Sequence, residues 1–109
     1  MPSRFVFYRD HVGANPSKQF KSTLFRSRHL LLGLNCLEPG QAQHPHVHGD
    51  QDKFYFVVEG TGEFVVGEER QSAGEGMVVW APAAMSHGVV NNGDRRLVLL
   101  VGISPPGEQ

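Results

Sequence analysis

The sequence has little of what would commit a chain to an unusual environment. It has one cysteine, Cys36, so no intramolecular disulfide can form and a reducing compartment suits it. Ten Lys and Arg stand against eleven Asp and Glu, for a net charge of -1 with the histidines neutral. That balance gives no electrostatic case for nucleic acid or an anionic membrane as a partner. No apolar run could span a bilayer, and the opening MPSRFVFYRDHVGANPS has no stretch of signal-peptide length. Helical periodicity is hard to find, and there is no internal repeat. The expectation is a soluble, cytoplasmic protein. Its 109 residues are one domain's worth, and a chain of this size buries roughly 65% of its unfolded surface without needing disulfides.

What the chain does have is short apolar runs punctuated by glycine and proline. Residues 4–8 (RFVFY), 29–37 (HLLLGLNCL) and 53–60 (KFYFVVEG) read as strands, the last rich in aromatic and β-branched residues. EGTGEFVVGEE reads as a hairpin, with Gly60, Thr61 and Gly62 turning into residues 63–66. GMVVWAP and SHGVVNN give two more strands, and RRLVLLVGI, apolar on both faces, reads as a central one. Residues 10–21 are polar and read as a loop, a short helix or an arm. Six to eight short strands at turn-punctuated spacing predict an all-β sandwich or barrel. The division expected is an N-terminal strand and arm over 1–28, a barrel over 29–103 and a tail over 104–109.

The chemistry concentrates in HPHVHGDQDKFYFVVEG, residues 44–60. Alternate side chains of a strand share a face, so His44, His46 and His48 point one way if the segment is extended. Pro45 favours extension of its predecessor. Two imidazoles at i and i+2 can converge on one cation, and neutral imidazole suits zinc, copper, iron and nickel. Histidines in a loop, by contrast, are ordinarily just solvated.

The same segment resembles the first motif of the cupin superfamily: glycine, five residues, His-x-His, four residues, glutamate, six residues, glycine. Gly40, His46, His48, Lys53 and Gly60 fall on its spacings. The second cupin motif is glycine, five residues, Pro-x-Gly, two residues, histidine, three residues, asparagine. Gly76, Pro82, Ala84, His87 and Asn91 fall on that one, with Ala84 in place of a glycine. The resemblance spans residues 40–91 and implies a double-stranded β-helix, or jelly-roll barrel. It further implies that His46, His48 and His87 hold a divalent transition metal (iron, manganese, nickel or zinc) at one end of the barrel. In a cupin that has lost its metal, His87 would instead be a hydrogen-bonded core histidine.

Lys53 stands where the family has its glutamate. Its strand phase is that of Gln51, Tyr55 and Val57, so the side chain starts toward the pocket. At ~6 Å from a dication, with an effective dielectric near 20, its charge would be repelled by about 5 kcal/mol. Three outcomes are physically open. The lysine can swing out to water and pair with Asp50, Asp52 or Glu63. It can be neutral and desolvated, suited to a base or a Schiff-base nucleophile. Or it can bind an anionic ligand in a metal-free barrel. With a metal retained, Gln51 is on the right face to supply a carbonyl oxygen as a further ligand, and His44 falls outside the ligand set or on the surface.

Lys53 and Tyr55 are the candidate catalytic residues, orienting substrate or shuttling a proton. Trp80, Met77 and Met85 are expected in the core, and Cys36 as a small buried hydrophobe. Asn91 is expected to satisfy backbone groups, and Arg95 and Arg96 to be solvated. Phe54, Phe56 and Val58 face away from the pocket, where they and RFVFY would suit a homodimer interface. The functional expectation is a metal-dependent cupin enzyme, dioxygenase-like or an isomerase or decarboxylase, acting on a small organic molecule that an electropositive site would favour as an anion. The alternative is a non-catalytic small-molecule-binding or metal-free module.

Overall fold

In the computed structural model, which describes residues 3–47 and 49–107, nine strands form two antiparallel sheets. The strands are β1 (Phe20–Arg26), β2 (Leu31–Leu37), β3 (Ala42–His46), β4 (Asp52–Glu59), β5 (Thr61–Val66), β6 (Glu69–Gly74), β7 (Val78–Ala81), β8 (His87–Val90) and β9 (Leu97–Ser104). The larger sheet runs β1-β2-β9-β4-β7 and the smaller β3-β8-β5-β6. β9 lies between β2 and β4, as its two apolar faces require.

The core between the sheets follows from strand alternation. In β4, Lys53, Tyr55 and Val57 are buried while Phe54 and Phe56 are only half-buried. Tyr55 and Val57 pack with Leu37, Phe64, Leu97, Leu99 and Val101 in the main cluster. The opposite face of the larger sheet has its own cluster of Leu34, Cys36 and Val98, covered by Tyr8, Val12, Phe20 and Leu24 from the N-terminal arm. Cys36 is 1% exposed, and burial pushes its thiol above the ordinary range, which makes it a packing residue rather than a nucleophile.

Several sequence expectations need correction. Residues 4–8 form no strand. Phe5 and Phe7 are exposed, and one turn of 3-10 helix follows at Tyr8–His11. The arm's strand is β1 instead, which begins at the end of the segment 10–21 read as loop, short helix or arm, and its half-buried Phe20 and Leu24 cover the outer cluster. The hairpin read in residues 59–69 does not turn at Gly60–Gly62: β4 and β5, on either side of that point, belong to different sheets. The chain crosses over at Gly60, whose φ is +85° and where a Cβ would lie 2.5 Å from the Arg96 carbonyl oxygen, so only glycine fits. β5 pairs with β6 and β8. Trp80, Met77 and Met85 are 55%, 39% and 41% exposed; none is core. Trp80 and Val78 alternate with the inward Val79 and Ala81 of β7 and so lie on the outer face. Arg96 is not simply solvated, since its Nε donates to Glu38 at 2.7 Å.

Two motif positions carry the local geometry. Asn91, fully buried, donates through Nδ2 to the carbonyls of Leu37 and Arg95 at 2.8 and 2.9 Å and accepts from the Gly93 amide at 3.0 Å. It thereby ties the end of β2 to the turn leading into β9. Ala84 keeps the left-handed backbone its motif glycine would adopt, with φ 68°, at a cost of roughly 1–2 kcal/mol for a residue with a Cβ. Asn91→Ala should lower the unfolding free energy in urea by about 2–4 kcal/mol, because it strands buried carbonyls. Ala84→Gly should raise it by up to about 1 kcal/mol, the relieved strain exceeding the added unfolded-state entropy.

Candidate functional site

The inner faces of β1, β2, β3, β4, β8 and β9 enclose a cavity of about 430 Å³ at one end of the barrel, within the size range of small-molecule sites. His46 and His87 are direct partners across the β3–β8 ladder. Their ring centroids are 4.7 Å apart. The register shift between Gln43 and His46 and the close approach of β3 to Gly88 produce this pairing. A Cβ on Gly88 would sit 2.7 Å from the Gln43 carbonyl oxygen, so a larger residue would push the two strands apart.

Both imidazoles are held by backbone carbonyls. His46 Nδ1 lies 2.9 Å from the His44 carbonyl oxygen, and His87 Nδ1 lies 3.1 Å from that of Met85. A carbonyl can only accept, so Nδ1 of each ring is the donor, and Nε2 is the atom through which the neutral ring can coordinate. This is the usual arrangement of a metal-ligating histidine, with the backbone fixing the ring. The donor set therefore fits a divalent transition metal as far as these two residues reach. His48 lies outside the described residues. Among the described residues no three His, Cys, Asp or Glu side chains group around a common point. His44 is exposed and serves the site through its carbonyl. The Gln51 amide lines the cavity mouth, where its Nε2 donates to the Pro105 carbonyl at 3.0 Å.

Lys53 does not escape to water. It is 7% exposed, and its Nζ lies over the Tyr55 ring, 4.7 Å from the centroid. The ring face gives the ammonium some compensation. The salt-bridge outcome is not what the structure shows: among the described residues the ion pairs are Arg9–Glu59 and Arg96–Glu38, while Asp52 accepts from the Ala83 amide at 2.9 Å and Glu63 from Ser72 at 2.8 Å. Burial, followed by the charge of Lys21, brings the Lys53 amine down to about 8.

Tyr55 is fully buried and lies beneath the cavity wall. Its phenol donates to Gln43 Oε1 at 2.8 Å, and burial raises its pKa, so it stays protonated. Gln43 Nε2 donates in turn to Gln19 Oε1 at 2.7 Å. Tyr55 thus reaches the cavity through Gln43. Sequence reasoning missed Gln43, Asn35 and Lys21, all of which line the cavity. Asn35 has the strand phase of Leu37, so phase alone could have found it, whereas Gln43 is out of phase with His46 and reaches the same cavity only through the register shift between them. Lys21 was hidden because β1 was not recognised.

The sign of the pH dependence follows from these shifts. A lysine whose pKa falls from its ordinary 10.5 to about 8 on folding destabilises the folded state below pH 8. That penalty is relieved as pH rises through the folded value toward the unfolded one. The raised pKa values of Cys36 and Tyr55 act oppositely, from about pH 9 upward, where the unfolded chain loses those protons. Urea unfolding should therefore show wild-type stability rising by about 1 kcal/mol between pH 7 and 9. Lys53→Met should be more stable at pH 7 and flat over that window; an equal rise in the variant would refute the burial of the amine.

Comparison with known proteins agrees with this geometry. The sequence profile of the cupin domain matches residues 33–103. An uncharacterized protein of Streptomyces coelicolor, SCO3923, is 37% identical over 83 residues, covering 74% of this chain and 75% of that protein. The crystal structure of TT1209 from Thermus thermophilus superposes with a TM-score of 0.91 at 38% identity, covering 94% of this chain and 98% of that one. A predicted oxalate decarboxylase from Thermotoga maritima superposes at 0.73 with 22% identity, covering 77% of each chain, a likeness of fold alone. The β-helix of two antiparallel sheets, the paired His46 and His87 at its open end and the profile match together place this chain in the cupin family.

Proposed function

We propose that this chain is a metal-dependent cupin enzyme acting on a small organic molecule, with His46, His48 and His87 as the ligands of a divalent transition metal. The observation that carries the reading is the pairing of His46 and His87 on the wall of a cavity of about 430 Å³, each with Nδ1 tied to a backbone carbonyl and Nε2 as the atom through which the neutral ring can coordinate. When bound, such a metal would polarise a substrate oxygen as a Lewis acid. The reaction class proposed is that of a dioxygenase, an isomerase or a decarboxylase. Among the protein's own groups, Lys53 is placed to hold or move a proton on the substrate, and Gln43, oriented by Tyr55, to position it. Gln51 is retained as a further ligand through its amide oxygen.

One observation favours the alternative of a metal-free binding module: a buried amine, Lys53, occupies the motif position of the metal-binding glutamate. The lone buried Cys36 suits a cytoplasmic location. Among the described residues no helix is long and apolar enough to cross a membrane. The proposal includes a homodimer. The outer face of the larger sheet, with Trp80 and Val78 exposed beside half-buried Phe54 and Phe56, would supply its interface.

Elemental analysis of the purified protein should find close to one transition metal per chain. His46→Ala should weaken zinc binding by at least about 100-fold in titration calorimetry, with an unchanged melting curve as control. Metal content unaffected by His46→Ala would remove the assignment. Oxygen uptake with diketones, catechols and thiols then separates an oxygenase from a binder. Light scattering at micromolar concentration should give a dimeric mass.

A further inference from the structure

The cavity wall has a second cationic side chain that the cupin motifs do not contain. Lys21 of β1 and Lys53 of β4 both line the cavity. They come from strands separated by β2 and β9, so they approach the space from two sides. Lys21 is near enough for its charge to act on Lys53. Among the described residues lining the cavity there is no Asp or Glu. The protein as a whole is close to neutral, so this is a local concentration of charge and not one patch of a basic surface. Two lysines facing one space with no carboxylate on its wall repel each other, and an anionic ligand would relieve that repulsion.

The remaining walls describe that ligand further. Leu31, Val101 and Ile103 give the cavity an apolar side, while Asn35 and Gln43 carry amides that can donate to oxygen. Lysine is a point charge on a flexible stem, which meets one carboxylate oxygen at a time and tolerates a range of lengths. We propose that the cavity binds a small dicarboxylate, with one carboxylate met by Lys21 at the mouth, the other by Lys53 inside, and the carbon chain against Leu31, Val101 and Ile103. The dianion matches the two positive charges, and the buried amine gains the counter-charge it lacks in the free protein. This proposal rests on the reading above in taking the cavity as the ligand site. It stands on the lysines, however, and does not require the metal.

The test is calorimetric titration of the full chain, in chelator-treated and zinc-loaded forms, with malonate, its neutral isostere malonamide, and inorganic phosphate. Malonate should bind both forms, and malonamide at least ~10-fold more weakly. Phosphate should bind more weakly than malonate. Equal affinity for the two would mean a general anion site and overturn the dicarboxylate assignment. Lys21→Gln should weaken malonate about 10-fold and Lys21→Glu should abolish it, with zinc content unchanged in both. Lys21 is exposed, so these variants fold even if changes at Lys53 do not. Malonate affinity unaltered by Lys21→Gln, or no malonate binding in either form, overturns the proposal. Malonate binding by a wild-type protein that takes up no zinc would sink the metal reading and leave this one standing.

Discussion

The register of β4 against β7 and β9 is the constraint on which the site depends. It sets Lys53, Tyr55 and Val57 on the inner face. A slip of one residue would exchange the two faces, bringing Phe54 and Phe56 inward and sending Tyr55, Val57 and Lys53 out. Tyr55 and Val57 are fully buried, at about 1.5–3 kcal/mol each for apolar side chains of this kind. Desolvating the Lys53 amine, with its pKa brought down to about 8, costs about 3 kcal/mol at neutral pH. Burial of Tyr55 and Val57 offsets the cost of the amine, so the strand can hold a lysine inside the barrel.

Around that strand the polar groups form a connected set. Tyr55 fixes one end of the Gln43 amide and Gln19 the other. Gln43 stands in the same short strand as His46, and backbone carbonyls set the rings of His46 and His87. Each donor therefore has a fixed direction before any ligand arrives, as a binding or catalytic site needs. Lys53 and Lys21 lie on flexible stems in the same space, and they are the part of the site that can adapt to a ligand.

Much of this arrangement was legible from the sequence, for identifiable reasons. The aromatic and β-branched alternation of residues 53–60 gave β4 and its phase, hence the inward Lys53 and Tyr55. The doubly apolar residues 97–103 gave a central strand. The two spaced motifs gave the cupin family. The rest failed where local pattern and tertiary setting part. Phe5 and Phe7 look like strand residues, yet no strand among the described residues pairs with them. β6 has only Ala73 buried, since it lies at a sheet edge, and so it carries no alternation to read. Trp80 reads as core by its type, but the outer face of a sheet edge accepts a large aromatic as readily. Lys21 escaped notice because β1 turns its apolar side to the outer cluster and its polar side to the cavity.

The central claim is that Lys53 is held inside the barrel, facing the same space as the His46–His87 pair. A crystal structure of the metal-soaked protein, with anomalous scattering recorded at the metal edge, tests it most directly. The expected result is a peak about 2.0–2.1 Å from Nε2 of both histidines, with the Lys53 amine still in the cavity beside Tyr55. No peak between the two rings, together with a lysine turned out into solvent, would contradict it.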